Sequence, residues 1–293
     1  MPSRSSGSTV VRRRLGHALR NLREDANIRI EAAARELECS TAKISRLENG
    51  LGPAKKLEVR ALLDLYGVTN ARRRKEFDTW ADGTKAAGWW ESDADVVEDD
   101  VARMMAVETE STLVRIYCTP VLPALLQNSA YNLAHVRDLY PDHSDDEIRR
   151  FAELRQVRQR ELLDADSPLR LVTVIDEAAV RRQVGSPQIH RDEMQWLADL
   201  LDELAAAGRD DVDVRVLPFT AGTPDWAMSA FTLFTPREPD LDPTVAYVED
   251  AAGTFWYESP DDIRQLSDMF SRLRGRCLDP DQSRALLRSA VTP

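Results

Sequence analysis

Ile30–Glu48, read IEAAARELECSTAKISRLE, is the stretch that decides how the first quarter of this 293-residue chain folds. Two short helical segments, residues 30–37 and 41–48, are separated by Glu38-Cys39-Ser40. Ser40 is a natural N-cap for the second of them, and Gly50 a natural stop after it. Ala34 is a small residue in the middle of the first helix, where the second must cross closely, and Leu37, Ile44 and Leu47 supply a shared core. The outward positions of the second helix are then Thr41, Ala42, Lys43, Ser45 and Arg46. Short polar, basic and small side chains near a helix N-terminus suit entry into a major groove and contact with base edges and phosphates. Ser40 and Lys55 complete the expected DNA-facing set. A solvated helix face would also carry Lys43 and Arg46, but their place in this motif favours contact with DNA.

Working outward, Val11, Leu15, Ala18, Leu19 and Leu22 recur at the spacing of an amphipathic helix. Residues 1–10 before them have little to bury and read as a flexible arm. A further helix is expected over Leu57–Tyr66. Gly50–Lys56 (GLGPAKK) lacks the spacing of a phosphate loop and follows no strand, so it reads as a turn between helices. The basic run Arg72–Lys75 leads through Phe77 and Trp80 to Trp89-Trp90 and a cluster of acids, aromatics that fit a joint between domains better than a ligand pocket. These observations set out an arm at 1–10, a helix-turn-helix domain at 11–70, a linker at 71–95 and an acidic α/β domain at 96–293.

The net charge of −11 hides a division along the chain. Met1–Trp80 carries 17 Lys and Arg against 10 Asp and Glu, or +7, while the remainder carries 22 against 40, or −18. A basic first quarter can approach phosphate, and the acidic remainder is repelled by it. Composition is that of a protein with a real core, 43% hydrophobic and 30% charged. No apolar run approaches the roughly 20 residues that span a bilayer, and the start lacks the apolar segment of a secretory signal, so a cytoplasmic protein without membrane contact is expected. Cys39, Cys118 and Cys277 lie far apart and read as reduced thiols, and the four histidines have no partner at metal-ligand spacing.

Beyond the linker the pattern mixes types. Residues 96–114, 130–139, 144–164, 188–207, 260–274 and 280–290 look helical; residues 169–175, 212–217, 231–235, 245–249 and 255–258 look like strands. The fold expected is α+β: an all-α N-terminal domain and a larger mixed α/β domain with one sheet. No nucleophile, metal or cofactor motif emerges. Asp176-Glu177 and Glu108/Glu110 could be imagined as acid–base pairs, but acids abound here and Asp176, ending a strand, fits a helix N-cap. Pro120–Gln127 (PVLPALLQ) reads as a buried loop or as the edge of a partner site.

The stretch LGHALRNLRE…AAARELECSTAKISRLENGLGPAKKLEVRALLDLYGV resembles, over about Leu15–Tyr66, the Xre-type helix-turn-helix of the Cro and lambda-repressor class, most specifically in its S-x-x-x-I-S-R-L-E-N-G element. The resemblance implies a five-helix domain whose third helix, about Thr41–Glu48, reads double-stranded DNA, usually as a homodimer. Members often carry Gln where Ile30 stands here, and Gly where Glu38 stands; a left-handed backbone at Glu38 would cost about 1 kcal/mol. The remaining 200 residues resemble the uncharacterised domain that follows such a helix-turn-helix in many actinobacterial regulators. The matching stretches are Trp89-Trp90, Glu110 with Tyr117–Gln127, Arg155–Arg160, Ile175–Ala179, Val216–Pro218 and Val245–Glu249. That resemblance implies a transcriptional regulator, of a type commonly encoded beside a short partner protein. Its C-terminal domain would bind that partner or a small effector; the alternatives are an antitoxin-like module that neutralises the neighbour and an enzyme tethered to DNA.

Overall fold

A computed structural model of the chain describes residues 6–84, 99–163, 169–222, 229–237, 243–250 and 253–290. The chain divides into two compact units, 1–110 and 111–293. The first holds helices α1 (Ser6–Asp25), α2 (Ile30–Glu36), α3 (Thr41–Glu48), α4 (Lys56–Leu65), α5 (Ala71–Gly83) and α6 (Asp99–Glu110). Leu15, Leu19, Ala33, Ala34, Ile44, Leu47, Val59, Leu62, Leu63 and Phe77 form its core.

Backbones approach closely where small residues allow it. A Cβ on Gly16 would lie 2.5 Å from the Leu47 carbonyl oxygen and 2.6 Å from that of Glu48, so only glycine lets α1 cross the end of α3. Gly50 (φ +71) closes α3, and its Cβ position would meet the Arg13 backbone at 2.8 Å. Glu38, in the turn between α2 and α3, does hold a left-handed backbone (φ +50), without glycine's freedom.

The expected linker begins as a helix. Asn70 caps α5 by accepting from Arg73 N at 3.0 Å, and Phe77 and Ala81 bury its inner face. Its end is tied down through buried Thr84: the carbonyl oxygen accepts from Arg12 Nε at 2.6 Å, and Oγ1 accepts from Ala54 N at 3.0 Å. The basic run 72–75 is thus the first turn of a packed helix, in which Arg74 pairs with Asp64 at 2.6 Å. The rest of the expected linker, with Trp89-Trp90, lies outside the described residues. In the expected arm, residues 1–5 also lie outside them, while residues 6–10 are the first turns of α1. Helix α6, placed by the sequence reading in the second domain, belongs to the first unit, where Arg13 meets Glu110 at 3.1 Å.

The second unit is built on a six-stranded sheet in the order β3-β2-β1-β4-β5-β6: β1 (Ser111–Cys118), β2 (Arg170–Asp176), β3 (Val212–Leu217), β4 (Phe231–Pro236), β5 (Val245–Asp250) and β6 (Gly253–Tyr257). β1, β2 and β3 are parallel; β4, β5 and β6 continue antiparallel. Between and after the strands lie α7 (Ser129–Leu139), α8 (Asp145–Leu163), α9 (Glu177–Arg181), α10 (Pro187–Ala206), α11 (Pro260–Gly275) and α12 (Pro280–Ser289). Residues Tyr117, Val172, Val174, Leu217, Phe231, Leu233 and Ala246 line one sheet face against Met269, Phe270 and Leu273 of α11. The β3 edge is covered: Val216 accepts from Leu278 N at 2.9 Å and donates to Ser283 Oγ at 3.0 Å.

The helix expected over 96–114 stops at Glu110, and Ser111–Val114 open the central strand β1. Its β-branched Thr112, Val114 and Ile116, with Tyr117, favour extended backbone. As a central strand β1 buries residues on both faces, so its apolar run lacks the simple alternation that marks a half-buried strand.

Candidate nucleic-acid interface

Helix α3 sorts its side chains sharply. Ile44, Leu47 and Glu48 are buried, while Thr41, Ala42, Lys43 and Arg46 are exposed together. Ser40 caps the helix, its Oγ accepting from Lys43 N at 3.2 Å, so this hydroxyl is already committed to the backbone. Ser45 is half-buried and accepts from Asn49 Nδ2 at 3.4 Å. Arg46 Nη2 donates to the Leu51 carbonyl at 3.4 Å, which lays its guanidinium along the turn that follows α3. Lys55 stands exposed at the N-cap of α4, with no ion-pair partner among the described residues.

The orientation of α3 is set by a buried carboxylate that sequence reasoning had not singled out. Glu48, its last residue, is gripped by Arg23 of α1 through Nε–Oε1 at 2.7 Å and Nη2–Oε2 at 2.9 Å, with Arg20 Nε 3.5 Å away. The bond to Glu48 raises the pKa of Arg23 above its ordinary value despite partial burial. Arg20 also donates to Asn49 Oδ1 at 2.6 Å, so two arginines of α1 clamp the end of α3. The E-N of the ISRLENG element was the available signal, since an acid amid apolar neighbours at a helix end needs a cation.

Cations near α3 are partly neutralised. Lys43 Nζ lies 2.6 Å from Glu58 Oε1 of α4, a bond that raises the lysine's pKa. Lys56 meets Asp82 at 2.5 Å, and Arg60 holds Asp78 through two bonds of 2.9 and 2.7 Å, lowering the pKa of Asp78.

The imagined Asp176-Glu177 pair has structural tasks. Asp176 Oδ1 accepts from Ala178 N at 2.8 Å as the cap of α9, and Oδ2 accepts from Tyr117 OH at 3.1 Å. Glu177 Oε2 accepts from Phe219 N at 2.7 Å, and Oε1 pairs with Arg181. Of the PVLPALLQ loop, Leu122, Leu125, Leu126 and Gln127 are buried. No group of three His, Cys, Asp or Glu side chains among the described residues could hold a metal ion, and none of the described helices is long and apolar enough to cross a membrane. The three cysteines are free thiols, Cys118 buried and the other two partly so.

Two helices joined by a tight turn, the second presenting a polar and basic face, define a helix-turn-helix regulator. The helix-turn-helix domain family indeed matches residues 14–75. A domain of unknown function, DUF5753, matches residues 101–289, more than half of the chain, and the chain belongs to that family. No curated protein and no solved structure matches it.

Proposed function

We propose that the chain is a sequence-specific transcriptional regulator of the actinobacterial Xre group, acting in the cytoplasm and reading DNA as a dimer. Its DNA-facing set is Ser40, Thr41, Ala42, Lys43, Ser45, Arg46 and Lys55, with Ser40 and Ser45 contributing through the local geometry they hold. The observation that carries this reading is the division of α3 into a buried edge (Ile44, Leu47, Glu48) and an exposed one (Thr41, Ala42, Lys43, Arg46). One such helix meets only a few base pairs, and two-fold symmetry doubles the readout. The DUF5753 domain is the regulatory part, binding a partner protein or an effector; the acidity of the chain beyond Trp80 suits a basic partner.

The test is selection of bound sequences from a random DNA pool by the full chain, followed by titration at several salt concentrations. An inverted-repeat consensus is expected, with a log–log salt slope near −5 if about six phosphates are neutralised. A flat salt response with no enriched sequence would refute the reading, and a monomer by light scattering both free and on the selected DNA would refute the dimer.

A further inference from the structure

We infer that the surroundings of Arg155, on α8 of the second unit, form a binding site for a small oxyanion, a carboxylate or a phosphate. The Arg155 guanidinium lies 5.1 Å from the Phe151 ring centre, and its Nη1 is sealed from solvent without a hydrogen-bond partner. The side chain makes no ion pair with any described residue. Its platform is fixed, since Tyr140 meets Phe151 edge-on at 5.2 Å and His143 at 5.0 Å.

Arg155 is half-buried, and the sealed side of its guanidinium gives up hydration for the face of the Phe151 ring alone, with no counter-charge bonded to it. Scarcity of acids is no explanation in so acidic a chain. Arg209 holds Asp211 at 2.7 Å, Arg215 holds Asp213 at 2.9 Å, Arg274 also holds Asp213, and Arg115 at least reaches the Ser267 hydroxyl at 3.3 Å. Arg155 has neither.

None of the described groups around it gives it a bonded counter-charge. Arg158, one turn further on, is buried at 8% exposure. Burial and the charge on Arg155 together push the His135 ring down to about 4, so it is neutral at physiological pH. Gln127 Nε2 faces His135 Nδ1 at 3.1 Å; with the amide as donor, the ring proton stays on Nε2 as a neutral donor. The carboxylate that acts on Arg155 is Glu249, which is exposed and already accepts from Tyr247 OH at 3.2 Å. Burial outweighs Glu249 and the two tyrosines, lowering the guanidinium to about 10. A planar fork of donors whose Nη1 has no partner has the chemistry of bidentate carboxylate or phosphate recognition.

The test uses the full chain without DNA, so its failure leaves the helix-turn-helix reading intact. Inorganic phosphate and acetate are titrated separately by calorimetry against chloride at constant ionic strength, and melting is followed in parallel. Saturable binding of at least one anion at one site per chain is expected, and which of them binds separates phosphate from carboxylate ligands. R155M should weaken that binding tenfold or more, and R155K should bind more weakly than the native chain because a point charge replaces the fork. In anion-free chloride buffer R155M should melt no lower than the native chain, since it removes an uncompensated charge. The inference is overturned if neither anion saturates or if binding survives R155M. It is equally overturned if R155M fails to fold or melts lower without anion, which would make Arg155 a structural residue.

Discussion

Replacing Arg23 by Met tests whether α3 is held by its buried carboxylate. Methionine keeps the apolar stem along α1 but removes both bonds to Glu48 and the donation from Nη1 to the Ile28 carbonyl at 3.2 Å. Glu48 is 5% exposed, so it cannot recover its hydration, and breaking a buried pair from one side costs about 3 to 5 kcal/mol. Arg20, 3.5 Å from Oε2, remains and can take up part of the charge, which lowers the expected loss to about 2 to 3 kcal/mol. E48Q in the native background should cost less, about 1 to 2 kcal/mol, because Arg23 is nearer to water than its partner. The informative variant is the double one. Once Arg23 is gone the Glu48 charge is a liability, so E48Q should be neutral or stabilising in R23M, a reversal of sign that no additive scheme gives. Hydrogen exchange of the α1, α3 and α4 core amides in the full chain reports this unit apart from the sheet unit. An R23M loss below about 0.5 kcal/mol, or an E48Q effect of the same size in both backgrounds, would refute the reasoning.

G16A should push α1 off the end of α3, costing about 1 to 3 kcal/mol as overpacking, and should weaken DNA binding in step; fluorescence anisotropy with unchanged affinity would contradict the close approach. E38G should stabilise the first unit by about 0.5 to 1 kcal/mol, the left-handed strain relieved less the entropy that glycine adds to the unfolded chain, and calorimetry showing a loss would show that the Glu38 side chain matters more than its backbone. R46A should cost about 1 to 3 kcal/mol of DNA affinity and relax preference at one base pair, whereas an identical titration curve would reduce Arg46 to surface. The second unit should respond to pH through two groups of opposite sign. His135, pushed down to about 4 by burial, contributes stability that is present above its ordinary value near 6.5 and lost as pH falls toward 4. Burial lifts Glu193, bonded at 2.8 Å by Asn128 N, to about 8, so its contribution is present below its ordinary value near 4.5 and lost as pH rises through 8. Between about pH 4.5 and 6.5 the two slopes oppose each other. Melting across this range should therefore rise with pH in E193Q and fall with pH in H135Q, and slopes of the same sign would contradict the assignment.

The helix-turn-helix was legible because its signals are local: the caps, Gly50, and an apolar spacing that turns directly into the buried positions Ile44 and Leu47. What held α3 in place was less so, since nothing in the spacing of Arg20 and Arg23 pairs them with Glu48, which the fold brings beneath them. Helix α5 was missed because ARRRKEFDTW buries only one edge, although the Asn70 cap was visible. Strand β1 was missed for a different reason: no glycine or proline separates it from α6, and a strand buried on both faces lacks alternation. The lone guanidinium of Arg155 could not be read at all, because a missing counter-ion is a property of three-dimensional neighbours and not of spacing.

The position of β1 also orders events during synthesis. Its partner strands begin about 60 residues later at Arg170 and about 120 residues later at Phe231, whereas the helices of the first unit are complete by Glu110. At roughly 5 to 20 residues per second, a ribosome that has just released β1 needs about 6 to 25 s more to release β4. Until β2 emerges the nascent chain carries helices able to pack locally, followed by a strand with both hydrogen-bonding edges open, and from then until β4 emerges the edge that β4 takes stays open. The central strand of the sheet is therefore the segment on which a chaperone, or a neighbouring nascent chain, has the longest opportunity to act.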